Sequence, residues 1–152
     1  MTHNEIAILI ALYVESNHKS HPVKLSFDRL PMGNANSIFS NLMHNGLVEK
    51  VKQIHRAPLT TALVFECNFT NKGKEYVEAL SGREIMDTLF YFGNQFEVSL
   101  DSFFIFKMIE NLYKWNKLTT SDIAFILTSK YHDKDVYKVY IPELVRMMNN
   151  EA

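Results

Sequence analysis

Asn36, Ser37, Ser40, Asn41 and His44 fall at the spacing that brings them to one polar side of a helix over residues 34–45. Their amides, hydroxyls and imidazole supply hydrogen-bond donors and acceptors. Residues 33–49 contain no Lys or Arg. Positive charge follows immediately: residues 50–56 hold Lys50, Lys52 and Arg56, with His55 among them and no Asp or Glu, and Lys72 and Lys74 come after. Such a pairing suits hydrogen bonding to a polar edge, with nearby cations for phosphate.

Catalytic patterns are missing. The chain has no glycine-rich phosphate loop, no Gly-x-Ser-x-Gly elbow and no His-Glu-x-x-His metal helix, so a non-enzymatic role without a cofactor is expected. His18 and His21 are three apart, and His132, Asp133 and Asp135 cluster, but neither set has further ligands at a recognised metal spacing and both read as polar loops. Cys67 is the single cysteine. It rules out an internal disulfide and a thiolate cluster, and its alternation with Leu63, Phe65 and Phe69 makes it a small core residue.

With 152 residues, 47% hydrophobic and 22% charged, the chain has the composition of one compact soluble domain, or of a small domain with a helical extension. Net charge is −1, with eight Lys/Arg against seven Asp/Glu in residues 1–80 and eight against ten in residues 81–152. No overall field draws the protein to nucleic acid or to an anionic membrane, and any such attraction is local. The N-terminus lacks the basic flank of a secretion signal, and the longest apolar run, residues 6–14, is under half of the ~20 residues that span a bilayer. A cytoplasmic protein without membrane association is expected.

The elements that must position these residues are announced locally. Thr2 and Glu5 stand in capping-box relation before a helix with the stripe Ile6, Leu9, Ile10 and Tyr13, whose other faces are apolar too. Residues 17–22 read as a turn, 23–25 as a short edge strand, and 26–30 as a brief helix ended by Pro31. Asn34 or Asn36 caps the next helix, which buries Ile38, Phe39, Leu42 and Met43 and stops at Gly46. Residues 47–52 and 63–69 read as strands around a loop at 53–61, where Pro58 suits a hairpin tip.

Gly46-Leu47-Val48-Glu49 closing a helix, a hairpin, and then Phe69-Thr70-Asn71-Lys72-Gly73 as a helix cap together resemble the winged helix-turn-helix domain of MarR-type and PadR-type transcription regulators over residues 1–80. The resemblance implies that residues 34–45 enter the major groove while Lys50, Lys52, His55 and Arg56 flank the backbone or minor groove. Asn36, Ser37, Ser40, Asn41 and His44 then face the bases, Asn being well shaped for the N6 and N7 edge of adenine. Lys72 and Lys74 add phosphate contacts whose counterion release makes binding salt-dependent.

Beyond residue 80 the chain reads as helical and aromatic. Helices are expected over 83–92, with Ile85, Met86, Leu89 and Phe90, and over 101–115, with the stripe Ile105, Met108, Ile109 and Leu112. Phe103, Phe106 and Tyr113 lie off that stripe and form a candidate oligomer or partner interface. Thr119 and Asp122 cap a short helix with Leu118 and Ile123 as its hydrophobic staple, burying Ile123, Ile126 and Leu127. A polar break at 131–135 precedes residues 136–141, which fit strand or helix equally, and Pro142 starts a terminal helix with Leu144, Val145 and Met148.

The expected fold is mainly α with a small β-hairpin wing: a winged helix-turn-helix over 1–80 and a helical region over 81–152 that packs on it, mediates oligomerisation, or both. The expected function is a DNA-binding transcriptional regulator, a homodimer on double-stranded DNA. The alternative is a winged-helix adaptor or inhibitor that binds a protein, a component of the transcription machinery or of a nucleoprotein complex. Lack of Lys and Arg in 33–49 favours the alternative, because Arg or Lys on guanine is the commonest specific contact.

Overall fold

Thr2 accepts the backbone N–H of Glu5 at 3.2 Å and starts helix α1, His3–Glu15. A computed structural model of the chain describes residues 1–27, 32–55, 63–93, 99–127 and 141–150. The other elements are β1 Pro22–Phe27, α2 Met32–His44, β2 Val48–His55, β3 Leu63–Phe69, α3 Asn71–Ala79, α4 Gly82–Gly93, α5 Ser99–Lys114, α6 Thr120–Leu127 and α7 Ile141–Asn150. The protein is mostly helical with one small antiparallel sheet, and the chain divides into two compact units, Met1–Ala79 and Leu80–Ala152.

In the first unit the sheet order is β1-β3-β2, which leaves β1 and β2 as edges. β3 pairs with both neighbours, Val23 opposite Cys67 and Leu25 opposite Phe65 on one side, Gln53 opposite Phe65 on the other. Val23, Leu25, Phe65, Cys67 and Phe69 are buried, so this face is the core face. Phe39 of α2 stacks on Phe65 with ring centroids 4.3 Å apart, which places α2 against that same face. Residues Ala7 to Tyr13 of α1 are all buried, and the helix meets α2, α3 and β1, as a helix apolar all round requires.

Several boundaries differ from the sequence reading. Ser26 and Phe27 belong to β1, because its antiparallel pairing with β3 continues to Phe27 opposite Leu63, and the rest of the expected helix lies outside the described residues. Asn34 and Asn36 lie inside α2 and do not cap it: the helix begins at Met32, with Ala35 buried at 1% exposure. Tertiary packing thus extends it past both asparagines. Residues 53–55 join β2 through pairing with Phe65, Val64 and Leu63, while the expected tip with Pro58 lies outside the described residues. Val64 is buried although it alternates away from Phe65. Met43 is 48% exposed, being one helical step past Leu42, at the border of the buried stripe.

Three helices end alike. A residue with positive φ, Asn17, Gly46 or Asn116, lets the next N–H reach back five residues, from His18 to Tyr13, Leu47 to Leu42 and Lys117 to Leu112. These are Schellman closures, and Asn replaces Gly in two of them.

The second unit contains α4 to α7. Ser81 Oγ accepts the N–H of Glu84 at the start of α4, which buries Ile85, Met86, Leu89 and Phe90. α5 buries Ile105, Met108, Ile109 and Leu112, the expected stripe. The capping box before α6 is reciprocal: Thr119 N–H donates to Asp122 Oδ2 at 2.9 Å and Asp122 N–H to Thr119 Oγ1 at 3.2 Å, with Leu118 and Ile123 both buried. The Asp122 carboxylate also occupies the space beside Gly82 into which any side chain there would grow. α7 buries Leu144 and Met147, while Met148 is half-buried. The side chains of Ile126 and Leu127 and residues 131–140 lie outside the described residues. Among the described residues, no helix is long and apolar enough to cross a membrane.

Candidate nucleic-acid interface

The exposed side of α2 carries Asn36, Ser37, Ser40, Asn41, Met43 and His44, with no charged side chain among them. Its buried side, Ala35, Ile38, Phe39 and Leu42, is held by the sheet and α1. The five residues expected to face a partner are thus together and solvent-exposed. One of them is already engaged. Asn41 Nδ2 donates to Glu5 Oε1 at 3.2 Å, across 36 residues of sequence, and Glu5 is only 8% exposed.

The C-terminal end of α2 is tied down by the segment that starts α3. Thr70 Oγ1 shares its proton between Gly46 O at 2.8 Å and Leu47 O at 2.9 Å while accepting from Gly73 N–H at 3.0 Å. Lys72 Nζ donates to Asn45 O at 2.8 Å, a cation at the negative end of the helix. Gly73 is buried, and a Cβ there would overlap Leu47 O and the Phe69 ring. The Gly-Leu and Thr-x-x-Gly stretches read from sequence therefore form one knot.

β2 solves a parity problem. Val48 is buried opposite Phe69, so unbroken alternation would turn both Lys50 and Lys52 onto the apolar face. A bulge between Glu49 and Lys52 inserts an extra residue, with Lys50 at φ +52°, and both lysines are exposed. Lys52 then stands opposite Glu66, which on its other side stands opposite Lys24. These three alternate away from Phe65, so Lys24 and Lys52 occupy the sheet face opposite to the one α2 covers. Glu66 is placed to offset both cations.

Of the remaining expected contacts, Lys72 is exposed and Lys74 half-buried. His55 ends β2, its side chain and Arg56 lying outside the described residues. In the second unit Phe106 and Tyr113 are half-buried, and the side chain of Phe103 lies outside the described residues. Sequence reasoning missed Glu5, Glu66 and Met43. Glu5 carried a signal for local capping only, and the partner that the fold gives it is set by tertiary structure.

His21 Nδ1 lies 2.6 Å from Pro22 O, and the His18 ring stacks on Tyr13 at 6.1 Å. His21, Lys24, Glu15 and Glu66 line a shallow depression, where partial burial holds the Glu15 carboxyl above its usual range. Among the described residues no three His, Cys, Asp or Glu gather to hold a metal ion, and His132, Asp133 and Asp135 lie outside them. Cys67 is buried at 1% exposure, and its thiol is pushed up to about 12, first by burial and then by Glu66. It is a protonated core residue and a poor nucleophile.

β1 ends at Phe27 and α2 begins at Met32, and residues 28–31 between them lie outside the described residues. Comparison with protein-family models, with curated proteins and with solved structures found no match to this chain.

Proposed function

We propose that residues 1–79 act as a winged helix-turn-helix module, and that the chain is a DNA-binding transcriptional regulator working as a homodimer in the cytoplasm. The observation that carries this reading is the exposed side of α2, a row of Asn36, Ser37, Ser40, Asn41 and His44 on a helix anchored at its C-terminal end and packed beside a β-hairpin. A helix of that width fits the major groove, and uncharged donors and acceptors suit base edges. Lys72 at the end of α2 and the exposed Lys50 supply phosphate contacts, while Lys52, turned to the other sheet face, serves backbone approached from that side. A twofold dimer sets two such helices about one DNA turn apart.

Fluorescence anisotropy with pooled random duplexes at low salt tests the reading. Binding that weakens steeply as salt rises supports it, and no binding overturns it. Sedimentation of the free protein as a monomer removes the dimer.

A second reading, an adaptor or inhibitor that docks on a protein of the transcription machinery or of a nucleoprotein complex, is favoured by one observation. The α2 face is neutral and includes Met43 at 48% exposure, a composition nearer to a protein contact than to a phosphate-seeking surface. Met43→Asp separates the two. It abolishes capture of a stoichiometric partner from nuclease-treated extract under the adaptor reading.

A further inference from the structure

We infer that Glu5 fixes the orientation of the Asn41 side chain so that α2 selects adenine at the base Asn41 meets; this rests on the duplex-DNA reading above. Asn41 is exposed, yet its amide is not free to turn, because Nδ2 donates to Glu5 Oε1 at 3.2 Å. An ionised carboxylate only accepts hydrogen bonds, so the amide nitrogen must be the atom that faces it. The reversed amide would set Oδ1 against a carboxylate oxygen. Chemistry therefore decides which way round the amide sits.

An asparagine amide has two N–H groups, one beside Oδ1 and one pointing away from it. We assign the one pointing away to Glu5, which leaves a donor next to an acceptor in fixed order. Adenine presents the complement in the major groove, an N7 acceptor beside an N6 donor, whereas guanine presents two acceptors and would meet Oδ1 with O6. Cytosine and thymine each satisfy only half of the edge. Holding the side chain before binding also lowers the entropy lost on contact.

Glu5 is suited to this role by its place. It sits in the first turn of α1, where the helix dipole favours an anion, and at 8% exposure its charge is withdrawn from the surface along which phosphates would pass. Glu5 is thus a positioning residue, and Asn41 the residue that touches the base.

Selection of binding sequences from a randomised duplex pool by the full chain, followed by anisotropy on the selected duplex and its single-base variants, tests this. Wild type is expected to prefer adenine at one position by roughly tenfold or more, the discrimination of one bidentate pair. Asn41→Ala, which takes this donor from the buried Glu5 carboxylate and is therefore checked by its melting temperature, is expected to reduce that preference to about twofold with an unchanged salt slope. Glu5→Gln, whose amide can hold Asn41 either way round, is expected to fall between the two while keeping the wild-type melting temperature to within about 5 °C. Adenine preference that survives Asn41→Ala, or that is undiminished in Glu5→Gln, overturns the inference. A wild-type chain that enriches no duplex overturns the DNA reading itself, and with it the inference. If Glu5→Gln unfolds, Glu5→Ala, which frees the Asn41 amide without adding a polar group, takes its place: a reduced adenine preference supports the inference and an undiminished one overturns it.

Discussion

α1 and α2 are each 13 residues long and pack in the same unit, yet they use their surfaces in opposite ways. α1 keeps seven successive residues out of water, so its sequence is accounted for by packing. α2 commits only Ala35, Ile38, Phe39 and Leu42 to the core and leaves a broad neutral face outside. A helix that needed nothing more than solubility would carry charged side chains there. The contrast separates a helix whose surface is consumed by packing from one that leaves a face in solvent, and it can be broken by mutation. Leu9 of α1 is fully buried, and Leu9→Ala is expected to cost about 3–4 kcal/mol in urea unfolding. Ser40→Ala on α2 is expected to stay within about 0.5 kcal/mol. Equal losses at the two positions would erase the distinction.

Gly73 sharpens the comparison, since it belongs to neither helix yet decides where α2 ends. A methyl group there meets Leu47 O and the Phe69 ring, and the backbone oxygen can yield only if its contact with Thr70 shifts with it. Gly73→Ala is expected to destabilise by about 2–3 kcal/mol, measured by chemical denaturation. Should the end of α2 be held by its own Schellman closure alone, the loss would be far smaller.

Local grammar was legible in the sequence and tertiary consequence was not. The caps at Thr2 and Thr119–Asp122, the stop at Gly46 and the start of α3 at Thr70 each rest on groups three to five residues apart. The bulge at Lys50 was invisible because it depends on which face Val48 takes against Phe69, a matter of register. The same register turns Lys52 to the far side of the sheet, whereas the resemblance implies a wing lysine flanking the backbone or minor groove beside α2. Met43 is misplaced in the sequence reading, and the Asn41 partner of Glu5 is absent from it, for a related reason: a helical stripe gives the direction of burial but neither its width nor which distant side chain arrives. The polar row on α2 was readable because it needs only helical periodicity.

Lys50 carries the comparison from helices to the hairpin, asking whether a strained position is there for stability or for contact. Its left-handed backbone costs an L-residue about 1 kcal/mol or more, a cost glycine avoids. Lys50→Gly is accordingly expected to raise stability by about 1 kcal/mol, less the added freedom of glycine in the unfolded chain. Under the DNA reading the same change weakens duplex binding and lowers the salt slope by about one unit. A variant that gains stability and keeps its binding would leave Lys50 a structural accident of the bulge.

The smallest effect is expected at the other end of α1, and it shows only as pH rises above 10. Tyr13 Oη donates to Glu78 Oε2 at 3.2 Å, joining α1 to α3, and burial first, then the charge and hydrogen bond of Glu78, push its hydroxyl up to about 12 from an ordinary 10. The folded state thus binds the phenolic proton more tightly than the unfolded state does. Stability from this group is complete below pH 10 and is lost as pH rises through the folded value near 12. The urea midpoint of the wild type should fall across that window more steeply than that of Tyr13→Phe, which has no proton to lose. Parallel curves would mean that the hydroxyl ionises as freely in the folded chain as in the unfolded one, and that α1 is held by its apolar surface alone.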